Sequence, residues 1–165
     1  MSLKSLMSYT FVSKYARWEP KKLRRETWAE SVDRVRQMMV DKYSQETDPE
    51  VSKLIHQAYD DMKKKKVLGS QRALQFGGSP IFKHNARMYN CISSYIDRPR
   101  FFQECMYLLL CGCGTGFSVQ KHHIAKLPNL IKEKTGQKKY IIDDSIEGWS
   151  DAVGVLVSSY FKGDN

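Results

Sequence analysis

Apolar positions along the chain fall into four stretches of helical period, separated by short runs of strand character. Thr27-Trp28-Ala29-Glu30 has the form of a capping box, in which the Thr27 hydroxyl and the Glu30 carboxylate satisfy free amides at a helix start. Trp28, Val32, Val35 and Met39 follow at helical spacing. Asp48-Pro49 predicts a second start, Asp48 as cap and Pro49 at the first helical position. Val51, Leu54, Ile55, Ala58 and Met62 make its stripe, and it ends in the lysine run 63–66, where cations suit the negative end of the helix dipole. A third helix is predicted over 100–110, just after Pro99; Phe101, Phe102, Cys105, Met106, Leu108 and Leu109 make it apolar nearly all round, the pattern of a buried helix. The fourth starts at Asp144 with Glu147 three residues on, and Trp149, Val153, Leu156 and Tyr160 share one face.

Strand candidates are 89–95, which surrounds Cys91, then 116–120, then 140–142. The first half reads as all-helical and the second as an α/β unit, with Gly69, Gly77, Gly78 and Pro80 marking the loop between them. No internal repeat or low-complexity segment interrupts the pattern.

Composition adds three bounds. The longest apolar run, 106–113, is far short of the roughly 18 residues that span a bilayer, and 1–9 lacks the apolar core of a secretory signal, so a cytoplasmic protein is expected, with no membrane partner. Cys91, Cys105, Cys111 and Cys113 are then expected as reduced thiols rather than a disulfide framework. The net charge of +9 suits an anionic partner, but the densest basic run, 63–66, has no interleaved aromatic residue of the kind single-strand binders use. Specific nucleic-acid binding is not expected.

Three groups could carry chemistry. Cys111-Gly112-Cys113-Gly114-Thr115-Gly116 is glycine-rich, but it lies between a helix and a strand, the reverse of the strand-glycines-helix order of a dinucleotide fingerprint. It reads equally as a turn whose amides face a phosphate or sugar and as a tight turn with no ligand. Cys111, Cys113, His122 and His123 offer metal-ligand types, but one residue between the cysteines is short for zinc, and adjacent histidines on a strand face opposite ways; no metal site is expected. Cys91, alone in a strand, reads from its neighbours as a small buried hydrophobe.

Five segments in order change that weighting: Tyr15-Ala16-Arg17-Trp18, Gly69-Ser70-Gln71-Arg72-Ala73-Leu74, Tyr89-Asn90-Cys91, the run 112–119 ending Gly-Thr-Gly-Phe-Ser-Val, and Asp144-Ser145-Ile146-Glu147-Gly148-Trp149. Together they resemble the N-terminal portion of the catalytic chain of ribonucleotide reductases, most nearly the adenosylcobalamin-dependent class II type. The resemblance implies an α/β fold: a helical N-terminal region over 1–68, then over 69–165 the first strands and helices of an incomplete ten-stranded α/β barrel. It implies radical-based reduction of ribonucleotides to 2′-deoxyribonucleotides, with Cys91 as one member of the redox-active cysteine pair. Ser70, Asn90 and Gly114 would lie at the substrate, and Asp97 would bind an effector nucleotide. The complete enzyme would use adenosylcobalamin and a thioredoxin-type reductant, with no cofactor held by this segment alone. The radical cysteine, the second redox cysteine and most cobalamin contacts would come from the remaining C-terminal part of the reductase, so the segment alone is expected to be inactive. The family's proline is replaced by Gly69, and Cys113 is not a family hallmark. The competing class is a small basic nucleotide- or nucleic-acid-binding module without catalysis.

Overall fold

The computed structural model describes residues 2–43, 48–131 and 139–161, which form two compact units, Met1–Met88 and Tyr89–Asn165. The units divide later in the chain than the glycine-marked loop at 68/69, because the short helices after that loop pack with the helices before it.

The first unit opens with α1 (Leu3–Lys14), followed by a two-stranded antiparallel ribbon of β1 (Trp18–Glu19) and β2 (Arg24–Arg25). This ribbon corrects the all-helical reading of the first half. It is held because Leu23 takes a left-handed backbone conformation (φ 49°) at the end of the intervening 3₁₀ turn. Next come α2 (Trp28–Tyr43) and α3 (Pro49–Lys63). The capping box at Thr27 is formed in both directions: the Glu30 N–H donates to Thr27 Oγ1 at 3.3 Å and the Thr27 N–H donates to Glu30 Oε2 at 2.8 Å. Asp48 caps α3 by accepting from the Glu50 N–H. The helices are zipped by Arg36 to Asp60, Lys63 to Asp33, and a 3.1 Å hydrogen bond from the Trp28 indole N–H to the Lys63 carbonyl. Two short helices, α4 (Gln71–Phe76) and α5 (Ser79–Lys83), close over them. Val32, Val35, Met38, Met62, Ala73, Leu74 and Ile81 form one contiguous core.

Beside this core runs a charged network. The Glu26 carboxylate receives Arg34 Nε at 2.7 Å and Nη2 at 2.8 Å, the Ser31 hydroxyl, and the Arg17 N–H. Burial opposes ionisation of Glu26, but the hydrogen bonds from Arg34, Ser31 and the Arg17 amide outweigh it and hold the carboxyl below its ordinary range. Arg34 also donates to the carbonyls of Leu74 and Gly77, satisfying orphan acceptors at the end of α4.

The second unit is a β-α-β crossover, with β3 (Cys91–Tyr95), α6 (Arg100–Leu110) and β4 (Gly114–Ser118), followed by the short α7 (Lys121–Ile124) and by α8 (Ile146–Ser158), which packs on α6. β3 and β4 pair in parallel, with Cys91 opposite Gly114, Ser93 opposite Gly116 and Tyr95 opposite Ser118. The described residues thus form two two-stranded sheets within a mixed helix/strand fold, and no barrel is closed among them. Residues 140–142 form no strand, and no ladder among the described residues includes them. Two helix readings are also corrected. In α6 only Phe101 is buried and Leu109 is exposed, so the helix is covered on part of its surface rather than all round. Helix α8 is capped by Ser145, whose hydroxyl accepts from the Gly148 N–H at 2.9 Å, rather than by Asp144. Trp149, Leu156 and Tyr160 lie on its exposed side, and its buried positions are Gly148 and Ser150. A Cβ on Gly154 would stand 2.9 Å from Gln103 Oε1 of α6, which is why small residues, not the apolar stripe, make this contact.

Candidate active site

Alternation along the parallel pair decides what β3 and β4 present. Paired residues point to the same face and neighbours to opposite faces. Thr115 and Phe117 face α6: the Cys105 thiol lies 3.1 Å from Thr115 Oγ1, and the Phe101 and Phe117 rings meet edge-to-face at 5.4 Å. The opposite face carries Cys91, Ser93 and Tyr95 from β3, with Gly114, Gly116 and Ser118 beside them. Cys91, Ser93 and Tyr95 are all exposed.

The two glycines leave a side-chain-free strip along that face. A Cβ on Gly114 would lie 3.9 Å from Cys91 Sγ and 3.6 Å from the Asn90 carbonyl, and one on Gly116 would lie 4.0 Å from Ser93 Oγ. Neither clashes, so the glycines are not demanded by packing among the described residues; their effect is to keep backbone accessible beside the thiol. The Gly114 N–H donates to the Asn90 carbonyl at 2.7 Å, which ties the turn before β4 to the start of β3 and sets Cys91 against Gly114. At the far end, His123 of α7 stacks on Tyr95 with ring centroids 4.5 Å apart, and its Nδ1 lies 3.1 Å from Ser118 Oγ. Desolvation, with help from the charges of His122 and Lys126, lowers the His123 pKa from its ordinary value.

The four cysteines separate by environment. Cys91 is exposed, whereas Cys111 (0 %) and Cys113 (4 %) are buried, and the Cys113 thiol donates to the Tyr89 carbonyl at 3.3 Å. The reading of Cys91 as a buried hydrophobe, made from its neighbours alone, is therefore corrected. Cys113 points into the interior although it sits in the glycine turn. No group of three or more metal-ligating side chains occurs among the described residues.

Of the residues singled out in the sequence, Cys91, Asn90 and Gly114 come together at one end of the strand pair. Asp97 lies beyond the opposite end of β3, paired with Arg98 at 2.7 Å. Ser70 belongs to the first unit, where its hydroxyl caps α4 by accepting from the Ala73 N–H at 3.4 Å. Ser93 and Tyr95 share the face with Cys91 and were not singled out, and Gly116 and His123, weighed only in a glycine turn and a metal set, lie there too; the period-two spacing 91/93/95 and 114/116 was the available clue.

No protein-family model matches the chain, and no curated protein does. A solved structure does: the crystal structure of a B-12 dependent (class II) ribonucleotide reductase, at a TM-score of 0.78 and 21% sequence identity, over 93% of this chain and 29% of that one. The chain has the fold of part of that reductase. It spans under a third of the reductase's length, and the described residues show a mixed helix/strand fold rather than the barrel whose first strands were expected. No helix among the described residues is long and apolar enough to cross a membrane.

Proposed function

We propose that this chain forms part of a ribonucleotide reductase catalytic assembly and supplies one redox-active thiol, Cys91, together with part of the floor under the substrate. The observation that carries the reading is the exposed Cys91 thiol beside the glycine strip of Gly114 and Gly116, on a chain with the fold of a reductase. The remainder of the reductase, in the same assembly, supplies the second thiol and the radical cysteine.

In this reading the ribose lies over the strip, where backbone rather than side chains meets its flat face. Cys91 and its partner thiol each give one hydrogen equivalent. The C2′–OH bond breaks, the oxygen leaves as water, a C2′–H bond forms, and the two sulfurs join as a disulfide, which balances two electrons and two protons. A thioredoxin-type dithiol then returns the pair to thiols. Asn90 positions the start of β3 through its carbonyl, Ser70 serves the substrate phosphates, and Asp97 serves an effector nucleotide. Adenosylcobalamin is the radical source proposed for the whole enzyme. The open strand face carries a thiol, two hydroxyls, a phenol and the His123 imidazole that stacks on that phenol; the corrin's contacts are assigned to the remainder, and no step here runs through it. The full barrel and a cytoplasmic setting belong to the same proposal.

The test is a Cys→Ser series in the chain reconstituted with the remaining reductase polypeptide, with thiols alkylated after one turnover without external reductant. Cys91 becomes protected from alkylation and Cys91→Ser abolishes sustained reduction, while the chain without its complement reduces no ribonucleotide. Normal turnover by Cys91→Ser with a dithiol reductant, or turnover by the isolated chain, overturns the reading.

A further inference from the structure

Helix α1 carries exposed apolar side chains around most of its circumference. Lys4, Met7, Ser8, Phe11 and Val12 recur at helical spacing on one side, yet no residue of the helix is buried. Their stripe forms one wall of an open groove of about 610 Å³ within the first unit, lined opposite by Trp28, Val67 and Leu68. The wall from residue 4 to residue 12 is about 12 Å long, or two helical turns. Phe11 meets Trp28 edge-to-face at 5.4 Å, and the Trp28 ring is fixed by its hydrogen bond to the Lys63 carbonyl, so the floor is preformed. Leu3, Leu6 and Tyr9 continue the exposed apolar surface along α1.

The rim is cationic. Glu26 is matched by Arg34, and Arg24 by Glu30. That leaves Lys4, Arg25 and Lys65 around the groove, none in an ion pair among the described residues. Arg25 donates to the Ala16 carbonyl, and Lys65 lies over the Trp28 ring at 5.8 Å. An apolar floor two turns long with cations around it fits one kind of occupant: a helix that sets apolar side chains at i, i+3/i+4 and i+7 into the groove and carries carboxylates along its flanks.

We propose that this groove is a docking site for an acidic amphipathic helix of a partner polypeptide. The inference concerns the first unit only and does not depend on Cys91 or on the proposed reaction. Complementary charge commits it to a protein helix with carboxylates; a free anion would use the rim and leave the apolar length of the groove unfilled.

The test uses the full chain with Trp18→Phe and Trp149→Phe, so that Trp28 is the sole fluorescent indole. The probe is a synthetic helix of about 18 residues, long enough to hold helical structure, with a Leu/Phe stripe and Glu flanks; its twin has Lys at every Glu position. The Glu helix is expected to shift Trp28 emission and to bind about tenfold or more tightly than the Lys helix at low salt. Lys4→Glu/Lys65→Glu should weaken the Glu helix and strengthen the Lys helix, and Val12→Arg should weaken both. Circular dichroism confirms that each variant is folded, and Lys65→Gln serves if the double reversal unfolds. Equal binding of both helices, indifference to the reversal, or no binding overturns the proposal. So does preference for phosphatidylglycerol vesicles over the Glu helix, or self-association of the chain through this groove in sedimentation.

Discussion

The two units distribute their side chains in opposite ways. Residues 1–88 hold 18 lysines and arginines against 10 acidic residues, and residues 89–165 hold 9 against 8. The first unit gathers large apolar side chains into one core and encloses a carboxylate–guanidinium network beside it. The second buries few large side chains, chiefly Ile96 and Phe101, and joins α6 to α8 through Gln103, which lies close to Gly154 and donates to Asp151. Its candidate chemistry lies on an open strand face, where a thiol and two glycines face outward. Cohesion is thus concentrated in one unit and accessibility in the other, and substitutions should affect them in different currencies.

The largest stability effect is expected in the first core. Leu74 is 2 % exposed in the core it forms with residues of α2, α3 and α5, so Leu74→Ala should cost about 3 kcal/mol, read as a lower urea midpoint. A loss below about 1 kcal/mol would show that this core collapses around the cavity.

Glu26→Gln should cost about 2 kcal/mol, because it leaves the largely buried Arg34 guanidinium short of its charge partner. The same group gives a pH dependence with a definite sign. The Glu26 carboxyl is held below its ordinary value in the folded chain, so its contribution is full above the unfolded carboxylate pKa and is lost as pH falls through the folded one. Wild type should therefore lose more stability on acidification than Glu26→Gln, and parallel acid-unfolding curves would remove this network from the explanation.

Gly148→Ala sharpens the contrast from the second unit. An added Cβ would stand 2.2 Å from the Asp143 carbonyl oxygen, so the backbone before α8 must shift. The expected loss is about 1–3 kcal/mol, despite alanine's better helix propensity. A stabilised Gly148→Ala would mean that this turn relaxes freely. Thr27→Ala removes one side of the capping box and should cost about 1 kcal/mol, measured by thermal melting.

The smallest stability change is expected at Cys91→Ser, which exchanges one exposed group for another, within about 0.5 kcal/mol of wild type. In the native chain Cys91 should be alkylated well before Cys111 and Cys113, and equal rates would erase the distinction between the open face and the interior.

What the sequence by itself determined is local. The capping box at Thr27, the Asp48-Pro49 start and the span of α6 follow from side chains within a few residues reaching neighbouring amides, a physics that spacing records. The ordered segments from Tyr15 to Trp149 likewise carried the resemblance to reductases, and the fold agrees with it. Only the tertiary structure decided which side of an element faces the core. The stripe of Trp149, Leu156 and Tyr160 is exposed, while Gly154 brings α8 close against Gln103 of α6, nearer than a larger side chain could. Residues 140–142 join no ladder among the described residues; a strand needs a partner, and the chain's own pattern cannot state whether one is near. The exposure of Cys91 was likewise hidden, since a lone thiol in a strand looks the same on either face. It was settled when Thr115 and Phe117 turned toward α6 and the alternate positions, Cys91 and Gly114 among them, toward the other face.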